Sequence, residues 1–178
     1  MPTAPPPPPP PADPRSKISP AVLKLKCVSP DHFFSPGPPP QTTAPPTGPY
    51  FFYGSLRDPS LLAEILGLPA APTLRPASLD GYQCKLWGQY PALVAADSSD
   101  VVEGSVYSVT TAADAQRLAE YETRHYRAVS CEIRYADVQE PVQEAGYVFL
   151  FVGEMGELTE GRFDLEVWLR RVGRGSKR

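Results

Sequence analysis

Residues able to hold a metal are scarce in this chain of 178 residues, which has two histidines and three cysteines. His32 and His125 stand far apart, and Cys27, Cys84 and Cys131 show no paired spacing. No zinc or iron constellation can be read from them, and the site chemistry is expected to need no metal and no cofactor. Nor do the cysteines suggest a disulfide framework; reduced thiols in an intracellular protein are the expectation. Uninterrupted apolar stretches are short, none approaching the roughly 20 residues that cross a bilayer. The opening Met-Pro-Thr-Ala, followed by prolines, lacks the basic and apolar regions of a secretory signal. A cytoplasmic location without membrane association is therefore expected. Basic charge is also in short supply: from Tyr50 onward 13 Lys/Arg face 18 Asp/Glu, a formal charge of −5. An acidic domain without a basic stripe is poorly suited to nucleic acid. A small neutral or zwitterionic substrate, or a protein partner, stays open.

Proline is what the chain has in excess, and its distribution divides the sequence. Of 24 prolines, 18 fall in residues 1–49, including the unbroken run Pro5–Pro11. That segment is expected to be a disordered proline-rich arm sampling polyproline II and coil. Pro5–Pro11 and Pro36–Pro40 have the form of ligands for an SH3- or WW-type partner, and a solvated extension without a partner is the competing reading. The composition changes abruptly after Gly48-Pro49. Residues 50–173 read as one domain, large enough to bury roughly two-thirds of the surface its unfolded chain exposes. Residues 174–178 read as a basic C-terminal tail.

Within the domain, Tyr50–Tyr53 has the composition of a buried strand, broken by Gly54-Ser55. A helix follows with consistent local signals: Asp58 as cap, Pro59 at the first helical position, Leu61, Leu62, Ile65 and Leu66 at helical spacing, and Gly67 at its end. Strands are expected at Leu79–Trp87, Pro91–Ala95 and Val101–Val109, the last with a bend or bulge at Gly104. A second helix over about Ala112–Thr123 is capped by Thr110 or Thr111 and turns Leu118 and Tyr121 inward. Strands Tyr126–Val138 and Ala145–Val152 come next, then a helix over about Arg162–Val172 with a stripe of Leu165, Trp168, Leu169 and Val172. Strands outnumber helices too heavily for a parallel sheet with one helix per crossover. The fold class is therefore α+β: a compact, mixed but mainly antiparallel, barrel-like sheet with flanking helices.

Two places could carry chemistry. Tyr53-Gly54-Ser55-Leu56 ends a strand just before a capped helix. A glycine there lets backbone approach a ligand, and free amides at a helix start suit a carboxylate or an oxyanion. An ordinary strand-glycine-helix turn has the same text. Glu122 ends the second helix, where a carboxylate opposes the macrodipole. It reads either as a solvated carboxylate beside Arg124 or Arg127, or as a residue that takes part in chemistry.

Four blocks taken in order join these places: Tyr53-Gly54-Ser55-Leu56, Gly88-Gln89-Tyr90-Pro91-Ala92-Leu93, Val102-Glu103-Gly104-Ser105-Val106-Tyr107 and Leu118-Ala119-Glu120-Tyr121-Glu122. Their order and spacing over residues 50–152 resemble the γ-glutamyl cyclotransferase-like family, in particular its AIG2-like branch. The ending around Phe163–Gly173 resembles fungal members of that branch. The resemblance implies a mixed β-barrel with flanking helices and an acyltransferase-type activity that cyclises a γ-glutamyl group to 5-oxoproline with release of an amine. It implies that Tyr53, Gly54, Ser55 and Leu56, with Arg57 and Asp58 continuing the loop, bind the γ-glutamyl moiety. It further implies that Glu122 is the acid/base and that Tyr126 is the tyrosine often found a few residues later. Ala128 stands where many members carry an arginine, so Arg127 is given no role. Glutathione, γ-glutamyl amino acids and γ-glutamyl-ε-lysine isopeptides share the recognised half. A silent cyclotransferase-like binding or regulatory module is the alternative.

Overall fold

The computed structural model describes residues 43–97 and 100–175. Five strands close a barrel in the order β1-β5-β2-β6-β7: β1 (Gly48–Phe52), β2 (Arg75–Asp80), β5 (Val101–Val109), β6 (Tyr126–Tyr135) and β7 (Gln143–Phe151). All pairs are antiparallel except β1 with β7, where Tyr50 lies beside Tyr147 and Phe51 beside Val148; this parallel pair closes the barrel. A second sheet has the order β4-β3-β8, from β3 (Tyr82–Trp87), β4 (Tyr90–Ala95) and the short β8 (Leu158–Thr159). Helices α1 (Pro59–Leu66), α2 (Ala112–Glu122) and α3 (Leu165–Arg171) flank the barrel. Among the described residues no helix is long and apolar enough to cross a membrane.

The period-2 geometry of β1 explains how one strand serves two cores. Phe51 points into the barrel with Leu79, Leu93, Val106, Ile133 and Val148. Tyr50 and Phe52 point outward under the helices, against Leu61, Leu62, Leu118, Phe149 and Trp168. Full burial of a ring such as Phe51 contributes about 1.5–3 kcal/mol. Strand β7 likewise buries both faces, Phe149 and Phe151 on one and Val148 on the other.

Each helix begins where its local chemistry directs. The Asp58 carboxylate accepts from the Leu61 amide at 2.9 Å, Pro59 takes the first turn, and Gly67 ends α1 in the left-handed region. The Thr111 hydroxyl accepts from the Asp114 amide, and the Asp164 carboxylate from the Val167 amide. That cap starts α3 at Leu165 rather than Arg162.

Other features differ from expectation too, among them the end of β6 at Tyr135 rather than Val138. Leu79–Trp87 is not one strand: Gly81, at φ +80, turns the chain out of β2 in the barrel and into β3 of the second sheet. Gly104 causes no bulge, since β5 keeps regular register with Ala77 opposite it. A Cβ there would lie 2.2 Å from the Phe52 carbonyl oxygen and 2.5 Å from the Phe51 ring, so glycine permits the close approach of β1. Strand β1 starts at Gly48, paired with Val109, which places Gly48 and Pro49 in the barrel rather than in the arm. The Tyr50 hydroxyl also donates to the Pro46 carbonyl at 2.7 Å. The remainder of the expected arm, residues 1–42, lies outside the described residues. At the other end Arg174 does not begin a free tail: its amide donates to the Leu169 carbonyl and its guanidinium pairs with Glu64 of α1. Residues 176–178 lie outside the described set.

Candidate active site

The chain leaves β1 at Phe52 and enters a single 3-10 turn, Ser55–Arg57, before α1 begins. Three elements converge on this corner. Strand β4 lies over Gly54 through Pro91. Helix α2 brings its last residue, Glu122. Strand β6 opens with Tyr126. Between them is a narrow cleft of about 330 Å³, open mouth included, lined by Tyr53, Gly54, Ser55 and Leu56 on one side and by Glu122 and Tyr126 on the other. Phe51, Phe52, Tyr90, Pro91 and Phe149 complete its walls. Predominantly apolar walls with a few convergent polar groups are what small-ligand sites share.

Hydrogen bonds fix the frame. The Tyr53 hydroxyl donates to the Phe149 carbonyl at 2.6 Å and accepts from the Leu93 amide at 3.3 Å, joining β7 to β4 behind the cleft. The Tyr126 hydroxyl donates to the Pro91 carbonyl at 3.1 Å. The buried Ser55 hydroxyl and the Tyr121 hydroxyl are 2.8 Å apart, tying the loop to α2. Burial, and then the nearby Glu122 carboxylate, hold the Tyr53 phenol well above its ordinary range. Burial does the same for Tyr126, followed by its electrostatic coupling to Tyr53 and Glu122. Both phenols therefore stay neutral donors at physiological pH.

Glu122 itself is half-buried at the C-terminus of α2, whose last turn holds no basic residue. Directly after it, Thr123 has φ 71 and ψ 173. It is the single non-glycine residue with positive φ among those described. For a β-branched side chain that conformation costs about 1–3 kcal/mol. Around this corner the Thr123 amide still donates to the Ala119 carbonyl at 3.0 Å, and the Tyr126 amide to the Thr123 carbonyl at 3.3 Å.

Of the residues expected at the site, six meet at the cleft: Tyr53, Gly54, Ser55, Leu56, Glu122 and Tyr126. Arg57 and Asp58 do not line it. Arg57 is exposed at the end of the 3-10 turn, and the Asp58 carboxylate is committed to the α1 amide of Leu61. Gly54 also has a structural reason to be glycine: a Cβ there would lie 2.6 Å from Pro91 Cγ. Tyr90, Pro91 and Phe149 were not read as site residues; Tyr90 and Pro91 sit in the second sequence block, and that block was the available signal. Among the described residues no group of three or more His, Cys, Asp or Glu side chains gathers as a metal site.

The gamma-glutamyl cyclotransferase, AIG2-like family model matches residues 50–169, which hold the cleft and all of the barrel except Gly48 and Pro49. The chain belongs to that family. A relative from Arabidopsis thaliana, Protein AIG2 C, is 33% identical over 120 residues, which span 66% of this chain and 70% of the relative. Two solution structures of Arabidopsis thaliana proteins align with a TM-score of 0.53 each. They are 23% and 28% identical, both cover 75% of this chain, and the matches span 87% and 79% of their own lengths. These likenesses agree with the mixed barrel and flanking helices seen here.

Proposed function

We propose that this AIG2-like chain is a γ-glutamylcyclotransferase that converts a γ-glutamyl amine or peptide into 5-oxoproline and the free amine. The observation that supports this reading most is the single cleft shared by the Tyr53–Leu56 loop, Glu122 and Tyr126. In the reaction the substrate's α-amine attacks its own γ-carbonyl carbon. A C–N bond closes a five-membered ring, and the bond to the departing amine breaks. Nucleophile and electrophile share one molecule, so holding the reactive rotamer can supply roughly 7–11 kcal/mol. A narrow slot between rings and a proline suits that task.

Proton traffic is the remaining requirement. At neutral pH the α-amine is mostly an ammonium ion and cannot attack. Glu122 takes its proton as general base and returns a proton to the leaving amine as general acid. Atoms and electrons balance without a redox or nucleotide partner. The amides at the start of the Ser55–Arg57 turn have no helical carbonyl behind them and are suited to hold the substrate carboxylate or the tetrahedral oxyanion. Tyr53 and Tyr126, kept neutral, shape the slot without adding charge that would compete with Glu122.

The test is incubation of the purified protein with a panel of γ-glutamyl compounds: glutathione, γ-glutamyl amino acids and a γ-glutamyl-ε-lysine isopeptide. Chromatography should show 5-oxoproline released stoichiometrically with the amine from at least one of them. A folded protein that releases none across the panel would contradict the enzyme reading and favour a binding module.

A further inference from the structure

The corner between α2 and β6 carries more than a chain reversal. Glu122 and Tyr126 line the same cleft, although one ends a helix and the other begins a strand. Between them are only three residues. A helix that simply frayed after Glu122 would not fix the direction in which the chain leaves it. The backbone is instead forced through the region that only glycine visits freely, at Thr123.

Several contacts hold this conformation in place. The Thr123 amide and carbonyl are both hydrogen-bonded, to Ala119 and Tyr126. The Thr123 hydroxyl lies 3.5 Å from His125 Nδ1. His125 is buried, its ring lies tilted against Trp87 with centroids 4.6 Å apart, and its carbonyl accepts from the Val152 amide at 2.8 Å. The corner is thus clamped to β3 and to the end of β7.

We infer that Thr123 is a positioning residue, whose forced backbone conformation aims Glu122 and Tyr126 into one cleft. This inference rests on the reading of Glu122 as the acid/base. The conformation, not the hydroxyl, carries the function; the hydroxyl, 3.5 Å from His125 Nδ1, helps to hold it against the strain of the β-branched carbon. Removing the hydroxyl while leaving a Cβ lets the backbone relax to negative φ and turns Glu122 out of line. Removing the Cβ as well makes the same conformation easy, so the aim is kept.

The experiment compares Thr123→Ala with Thr123→Gly in the full chain, with Glu122→Gln alongside. Thr123→Ala should lower kcat at least tenfold while KM changes less than twofold. Thr123→Gly, although the smaller side chain, should restore kcat to within about threefold of wild type. A second readout does not need turnover: the ¹³C signal of the Glu122 carboxylate, followed by NMR, should move in Thr123→Ala and return in Thr123→Gly. Equal kcat and equal carboxylate signals in the two folded variants, whether both normal or both impaired, would overturn the inference. If Glu122→Gln kept full activity while the carboxylate signal still moved and returned as expected, the acid/base reading would fail and the positioning would stand.

Discussion

The Pro91 ring occupies the space that a side chain on Gly54 would need, with Pro91 Cγ 2.6 Å from an ideal Cβ. The first two sequence blocks of the family are thereby one contact. A methyl at Gly54 meets a rigid ring instead of the end of a flexible chain. Gly54→Ala should therefore destabilise the fold by about 1–3 kcal/mol, as overpacking usually does, and lower Tm by several degrees. Replacing Pro91 by alanine in that background should recover part of the loss. Thermal unfolding of the two single variants and the double variant measures the coupling; strictly additive losses would refute the contact.

The arm should be dispensable only as far as the barrel allows. Deleting residues 1–42 is expected to leave Tm and turnover essentially unchanged, since proline-rich text of that composition cannot build a core. Deleting residues 1–47 removes the Pro46 carbonyl that the Tyr50 hydroxyl uses. Tyr50 is fully buried, so its orphaned donor should cost about 1–3 kcal/mol. Urea unfolding of the two truncations should separate them; equal stability would show that the Pro46 contact contributes nothing.

The thiols give a pH dependence with a definite sign. Burial pushes Cys84 up to about 11 and Cys131 up to about 12. The folded state binds these protons more tightly than the unfolded chain, whose thiols titrate at about 8.5. Their contribution to stability is full below that value and is lost as pH rises through about 11 and 12. Replacing both by alanine should flatten the loss of stability between about pH 8.5 and 9.5, below the ordinary tyrosine range. Turnover near neutral pH should survive that replacement and a chelator. An unchanged alkaline slope would contradict the burial of the thiols; zinc-restored activity after chelation would contradict the mechanism.

How far the sequence speaks depends on where the deciding contact lies. Helix α1 was legible in full because Asp58, Pro59 and Gly67 act within a few residues of themselves. The split between β2 and β3 was not, because residues on both sides of Gly81 favour strands and only barrel closure assigns them to different sheets. Gly104 looked like a bulge, yet its reason is a carbonyl on a strand some fifty positions earlier, at Phe52. At the site, the order of the blocks pairs Glu122 with the loop, and the structure places both on one cleft. Asp58 enters the expected ligand set by the same route, although it lies outside the cleft lining and caps α1. Phe149 stayed hidden because an apolar wall residue has no chemical signature of its own.

The measurement that bears most directly on the account is the rate of 5-oxoproline formation by Glu122→Gln. Glutamine keeps the volume and hydrogen-bonding capacity of the half-buried Glu122 but can neither take the ammonium proton nor return it. Folding, followed by thermal unfolding, should be nearly unaffected. The rate should fall by at least roughly 10²–10⁴-fold, the range that general acid–base catalysis supplies. The loss should appear in kcat more than in KM, because the substitution leaves the Tyr53–Leu56 loop, the proposed holder of the γ-glutamyl half, intact. A folded Glu122→Gln protein that forms 5-oxoproline at the wild-type rate would contradict the account.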